Sequence, residues 1–421
     1  WHENRSEGDV LRTIAISNEE LIRYNASFKE KHNFDILLGF NAERNAVHAI
    51  GGWGKGSVSD YVYYYNPNLT VDAKNYGTSM AERWKATRSY ESSFTEKTMV
   101  SYFGRIGYNY KQRYLVEATF RRDGSSTFGE DNKWANFPSV AAGWAFSEER
   151  FMKGTRTWLS NLKLRAGWGA TGNCNTYKNY PSQLLFLGDQ NYAFGNNIDN
   201  PAIYISQMAN KNMKWETTYQ TNIGLDFGFL NNRITGQVDI YNKETKDLLL
   251  DAEVPLSLGF NKVQQNIGSI RNRGLEFAFN TVNFVGGKGR FKWTTGFNIS
   301  FNKSKITGLS GDQDFWVSNI QYPTIQNLYI ARVGHPISEM YGYVYDGVYQ
   351  YSDFNEVSPG VFVLKDGIPN NTKDRNNIQP GDMKLRDVNV DGKMTPEDQT
   401  VIGHGLPVHN GGFTNNFEYK G

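Results

Sequence analysis

Apolar and polar residues alternate with a period of two through most of this chain. Tyr219, Thr221, Ile223, Leu225, Phe227 and Phe229 alternate with Gln220, Asn222, Gly224, Asp226 and Gly228. Phe291, Trp293, Thr295, Phe297, Ile299 and Phe301 alternate in the same way with Lys292, Thr294, Gly296, Asn298, Ser300 and Asn302. Shorter runs of the pattern start at Ile22, Phe34, Tyr102, Tyr114, Leu162 and Phe413. Successive side chains of a strand point to opposite faces, so each run predicts a β-strand with one apolar and one polar face. Few helical stretches compete, and the chain reads as all-β.

Two further features choose among all-β folds. Many runs extend over about 10–15 residues, whereas strands of globular proteins centre on roughly 5–6, and a tilted strand needs about 9–11 residues to cross a bilayer. Short and long connections also alternate. Tight turns are expected at Glu30 to His32, Lys111-Gln112, Glu148 to Thr155, Leu230 to Asn232 and Val285 to Gly289. Long loops are expected at Arg44 to Glu96, Asp123 to Asn136, Ala170 to Met213, Leu248 to Gln265 and Lys305 to Val408. A transmembrane antiparallel β-barrel has this asymmetry, with tight turns at the periplasmic end and long loops outside. The polar rows, with Arg105, Glu117, Arg165 and Asp239 among them, would line a wet lumen. In a closed core, unpaired polar groups would each cost about 1–3 kcal/mol. The competing fold is a soluble β-sandwich with one solvated face per sheet.

Composition removes several classes. The 421 residues include 39% hydrophobic and 14% aromatic residues, 45 basic against 43 acidic side chains, and one Cys. Mean hydropathy is −0.59, and no apolar run approaches the ~20 residues of a membrane helix. One Cys excludes a disulfide scaffold, and a net charge of +2 gives no electrostatic case for nucleic acid. The first residues lack the charged and apolar regions of a signal peptide, and the chain stops at Glu418 to Gly421 inside a run of alternation. The chain is therefore expected to be part of a longer protein.

The sharpest local motif is Asp387-x-Asn389-x-Asp391-Gly392, closed by Asp398. It matches a calcium loop at positions 1, 3, 5, 6 and 12, with a backbone carbonyl from Lys393 and an oxygen near Thr395 completing the set. Asp in place of Glu at the last position is shorter, Pro396 follows and flanking helices are missing, so an Asx-turn cluster competes with a structural calcium ion. Aromatic residues crowd the expected loops: Trp53, Tyr61, Tyr63, Tyr64, Tyr65, Trp84, Trp134, Trp316, Tyr322, Tyr341, Tyr343 and Tyr345. They suit packing within the loops or against a covering partner, and a few suit sugar rings or peptides. The Gly51 to Gly56 run is expected to be a flexible loop tip. Catalysis has little support. The six His are scattered, Cys174 has no activating neighbours, and no Gly-x-Ser-x-Gly elbow occurs.

The stretch Ala118 to Gly129, with Phe137 to Val140 and Gly143-Trp144, resembles the SusC/RagA family of TonB-linked outer-membrane transporters. Leu164 to Asn173, Lys214 to Thr218, Asn222 to Asp226, Asn231 to Ile234, Asn266 to Glu276, Gly381 to Lys384 and Asp387 to Gly392 continue the resemblance in the family's order. It implies residence in the outer membrane of a Gram-negative bacterium, surrounded by its lipid. It also implies import of oligosaccharides or oligopeptides by the parent protein. The implied partners are a SusD-like surface lipoprotein and the TonB–ExbB–ExbD energy-transducing complex, with transporter–lipoprotein pairs assembling as dimers. The family has an N-terminal plug and a barrel of about 22 strands. Against that pattern, this chain is expected to hold about 11–12 of the strands and not the plug, with residues 305–408 as a long extracellular loop region. A passive porin or an adhesin is the alternative function.

Overall fold

The computed structural model describes residues 5–55, 88–176, 180–194, 197–260, 262–286, 291–309, 315–318, 328–371 and 373–419. Eleven long strands follow one another in a single sheet, each beside its neighbour in the chain. They are β1 (Arg5–Phe28), β2 (His32–Lys55), β3 (Arg88–Tyr110), β4 (Tyr114–Ser125), β5 (Trp134–Ala145), β6 (Leu159–Asn173), β7 (Glu216–Phe229), β8 (Ile234–Lys246), β9 (Ser269–Val285), β10 (Phe291–Gly308) and β11 (His409–Tyr419). The chain divides into two compact units. One comprises Trp1–Ala141, Gly169–Glu216 and Glu253–Gln265; the other comprises Ala142–Trp168, Thr217–Ala252 and Asn266–Gly421. Each is described by itself below.

In the first unit, β1 to β4 pair antiparallel, with tight turns joining β1 to β2 and β3 to β4. Lys29 and Glu30, and again Lys111 and Gln112, take positive φ. Each two-residue turn is closed by an amide, Lys31 N to Phe28 O at 3.2 Å and Arg113 N to Tyr110 O at 2.9 Å. Positive φ at both central residues gives a turn whose twist matches that of the flanking strands. In the second unit, β7 to β11 pair antiparallel, and Asn231-Asn232 make the β7–β8 turn with positive φ. The short turns fall where alternation breaks. The strands run further than the sequence pattern suggests. β1 and β2 have 24 residues each, against the roughly 9–11 that cross a bilayer.

This corrects two readings. The long connection expected at Arg44 to Glu96 begins only after Lys55 and ends before Arg88, because β2 and β3 stay paired from His32↔Tyr110 to Gly54↔Arg88. Gly51 to Lys55 are therefore strand, not a loop tip, and Gly51 lies against the Asp9 side chain, where a Cβ would collide. Likewise Trp53 is in β2 and Trp134 opens β5.

Register puts the apolar residues of neighbouring strands in continuous rows on one face. Ile22, Leu38, Gly104 and Phe120 form one row of the first unit; Ile223, Ile240, Leu275, Phe301 and His409 form one of the second. Ile22 is 71% exposed, Leu38 57% and Ile240 58%. Large contiguous apolar surface is not what a water-soluble sheet presents, and lipid is the solvent that accepts it. No helix among the described residues is long and apolar enough to cross a membrane, so any crossing is made by these strands.

Candidate functional site

Aromatic pairs mark two levels on the apolar face of the second unit. Near the short turns Trp158 stacks on Phe229, with centroids 5.9 Å apart and 10° between planes. Ten positions further along the same strands, Trp168 stacks on Tyr219. At about 3.3 Å per residue and a tilt of about 40°, ten positions span about 25 Å along the membrane normal, the height of the apolar band of an outer-membrane barrel. In the first unit Phe28, His32, Phe34, Tyr108, Tyr110 and Tyr114 form the matching cluster beside the short turns.

The opposite face is polar. In the first unit Arg105 reaches Asp35 at 3.1 Å and Glu117 at 3.9 Å, and Arg23 bonds Asp35 from the other side. In the second unit Arg165 donates to Asp226 at 2.8 Å and to Asp239 at 3.1 Å. Asp239 is buried. Gly224 leaves room for this cluster, because a Cβ there would crowd the Asp239 carboxylate and the Arg165 guanidinium, the latter at 2.7 Å. Beside this cluster the polar face carries a groove of about 450 Å³, with Asn280, Asn298, Thr294, Thr414 and Asn416 along it. Neutral amides and hydroxyls of this kind can both donate and accept hydrogen bonds. The groove's residues come from four strands, so it emerges from register and not from any local motif.

The motifs that carry the family resemblance converge at the loop end of the first unit. Phe128, Phe137, Met213 and Trp215 are buried. Trp215 packs on Phe128 and Phe137 with centroids 5.4 and 5.5 Å away and donates its indole N–H to Lys133 O at 3.0 Å. Gly172 lies against the Phe137 ring, and a Cβ on Gly129 would meet Lys211 O at 2.5 Å. Ser125 and Thr127 hydroxyls bond at 3.1 Å. These residues form a structural plate. Burial pushes the nearby Cys174 thiol pKa up, which removes thiolate at neutral pH.

Within the loop region after β10, Tyr349, Phe354, Leu364 and Ile378 form a separate core. Arg375 laces it by donating to the carbonyls of Lys365 (2.7 Å) and Leu364 (3.4 Å). Burial pushes the Tyr349 phenol, which donates to Pro369 O at 2.7 Å, up to about 12. Tyr341 lies in the short strand Glu339–Gly342 and Tyr345 in Tyr345–Val348, whereas Tyr343 falls between them. Trp134 stacks on Tyr102 under Arg122. Of the remaining loop aromatics, Tyr61, Tyr63, Tyr64, Tyr65, Trp84 and Tyr322 lie outside the described residues, as does the Trp316 side chain.

The calcium-like residues come together in one loop. Asp398 is fully buried and accepts from Val388 N (2.9 Å), Asn389 N (3.4 Å) and Thr395 N (2.8 Å). Asp387 accepts from Gly392 N at 2.8 Å and Asp391 N at 3.3 Å, Asn389 accepts from Asp391 N, and Asp391 from Lys393 N. Backbone amides therefore occupy the oxygens that spacing offers to a cation. Among the described residues no group of three or more His, Cys, Asp and Glu is placed to hold a metal ion. Thr395 and Asp398 form a reciprocal cap on the short helix Pro396–Asp398.

Amide hydrogen bonds, led by that from Thr395, hold the Asp398 carboxyl below its ordinary value of 3.8. A lowered folded value means the contribution is complete above the ordinary value and is lost as pH falls through the lowered one. Asp398→Ala is expected to loosen the loop by about 1–3 kcal/mol, because buried N–H groups lose their acceptor. Faster amide exchange at Val388, Asn389 and Thr395, with the β-strands unchanged, is the readout. Wild-type protein should show a corresponding local loosening as pH falls from the ordinary value through the lowered one.

Comparison with known proteins places this geometry. The family described as TonB dependent receptor-like, beta-barrel matches residues 5–379. The chain is 32% identical over 439 aligned residues to TonB-dependent receptor P39 of Formosa agariphila, covering 96% of this chain and 38% of the relative. It is 37% identical over 332 residues to TonB-dependent receptor SusC of Bacteroides thetaiotaomicron, covering 75% of this chain and 30% of the relative. The solved RagAB peptide transporter superposes with a TM-score of 0.75 at 24% identity, over 99% of this chain and 40% of that one. The chain thus spans well under half the length of these relatives, and its strands follow the fold of a barrel wall.

Proposed function

The chain belongs to the TonB dependent receptor-like β-barrel family, and from that premise we propose that its parent protein imports oligosaccharides or oligopeptides across the outer membrane. A SusD-like surface lipoprotein would hand substrate to the long loops, and the TonB system would power passage from the periplasmic side. The observation that carries this reading is the division of each strand between an exposed apolar row and a polar row bearing the Asn/Thr groove. Neutral amides and hydroxyls exchange hydrogen bonds with sugar hydroxyls or peptide amides without trapping a charged group. The relatives it matches are named as TonB-dependent receptors and a peptide transporter, which supports transport as the activity of the parent protein.

The test is growth of a strain lacking the full-length gene on a panel of oligosaccharides and oligopeptides as sole nutrients. Loss of growth on one class, restored by the gene and abolished again by removing TonB, is expected. Uptake that persists without TonB would favour the passive porin, and growth unchanged on every nutrient would overturn the proposal. We also propose a structural calcium ion at Asp387, Asn389, Asp391, Lys393, Thr395 and Asp398, supported by their spacing. Binding would require their oxygens to turn from amides to the ion. Calorimetric titration of the intact protein with calcium tests this, and no heat at millimolar ion would refute it.

A further inference from the structure

Above the Ile240–Leu275–Phe301 row, on the same outward face, the register sets Arg273 directly opposite Lys303, and Arg271 opposite Lys305 on the next row. Directly opposed like charges lie about 5 Å apart at Cβ and destabilise a strand pair. Arg271 is relieved by Glu244 at 3.8 Å, which also meets Lys246 at 3.9 Å. Arg273 and Lys303 have no such relief. Both are exposed. Neither meets a carboxylate among the described residues, and Arg273 Nε donates only to the neutral Asn242 Oδ1 at 2.9 Å. That bond fixes the guanidinium while leaving its outer N–H groups free.

The two cations stand over an apolar groove of about 550 Å³ whose floor is Ile223, Ile240, Leu275 and Phe301. The groove lies just below the level of Trp168 and Tyr219, the aromatic pair at the loop end. It is therefore at the boundary between hydrocarbon and headgroups, on the outer side of the membrane. An unrelieved cation pair at that depth, above a greasy slot, matches one kind of occupant: an amphiphile with phosphate at its head and acyl chains below.

We propose that Arg273 and Lys303 bind the phosphate of a phosphorylated glycolipid of the outer leaflet, with an acyl chain in the Ile240–Leu275–Phe301 groove. The guanidinium donates two parallel N–H bonds to phosphate oxygens and the ammonium donates a third. The inference rests on the apolar rows facing lipid. The altered mobility of folded barrels on unheated gels checks barrel formation separately from lipid binding.

The test uses the full-length protein purified from outer membranes in mild detergent, delipidated and titrated with outer-leaflet glycolipid. Retention is measured by native mass spectrometry. Wild type is expected to hold the phosphorylated glycolipid and to bind its dephosphorylated form roughly 10- to 30-fold more weakly, as two cation contacts at a membrane surface predict. Arg273→Ala with Lys303→Ala should show the same loss, whereas Arg273→Lys with Lys303→Arg should retain binding. Equal binding of both glycolipids by wild type would overturn the proposal. So would an unaffected double-alanine variant, or inorganic phosphate competing as well as the lipid. Comparing the two lipids on wild type decides the matter even if a variant fails to fold.

Discussion

Trp215→Ala is expected to cost about 3–5 kcal/mol, the range for deleting a large buried aromatic side chain. The Trp215 ring touches both Phe128 and Phe137, and its indole N–H satisfies Lys133 O. Removing it opens a cavity between Lys214–Thr218, the segment entering β7, and the loop between β4 and β5. It also removes one of the two hydrogen bonds to Lys133 O, which keeps the one from Ser125 N at 3.0 Å. Trp215→Phe should recover most of the packing but not the hydrogen bond. Trp158→Ala provides the contrast. Trp158 is 50% exposed and stacks on Phe229 alone, so about 1 kcal/mol is expected from the lost ring pair. Urea unfolding of the full-length protein in vesicles measures all three. Equal losses at Trp215 and Trp158 would refute the plate as the anchor of the loops.

The second large effect separates two adjacent residues of β10. Ile299 lies in the row with Phe277, Val238 and Leu225, midway between the two aromatic levels. Asn298 faces the polar groove. Ile299→Arg places a charge at the centre of the apolar band and is expected to cost about 2–4 kcal/mol. Asn298→Arg keeps its charge in water, and its effect should stay within about 0.5 kcal/mol. The same vesicle unfolding experiment compares them, and equal costs would contradict the assignment of faces.

Much of this was legible in the residues. Period-two alternation at Tyr219 to Phe229 and Phe291 to Phe301 is a direct record of two solvents, one per face, and it placed β7 and β10 along with the tight turns between strands. The resemblance to SusC/RagA transporters rested on segments far apart in the chain. The structure gives those on β4 to β7 a common physical reason, since Phe128, Phe137, Gly172 and Trp215 meet in one plate. Strand length beyond the membrane was not legible. Gly51 to Lys55 reads as a flexible tip because glycine carries little local preference, and pairing with Arg5 to Asp9 of β1 on one side and Arg88 to Glu91 of β3 on the other holds it extended. The Asn/Thr groove and the Arg273–Lys303 pair were hidden for a related reason. Each is assembled by register between strands, which no single segment encodes. The calcium-like spacing was legible as a loop motif, but whether its oxygens face amides or an ion depends on the fold around Asp398.

The central claim is that alternate residues of these strands face lipid and water. Nitroxide labels placed singly at 235, 237, 238, 240, 297, 298, 299 and 300 of the full-length protein in bilayers, in a background freed of native cysteines, test it most directly. Collisions with oxygen should dominate at Val238, Ile240, Phe297 and Ile299, and collisions with a water-soluble nickel complex at Thr235, Gln237, Asn298 and Ser300. Nickel access at both sets without alternation would contradict the account.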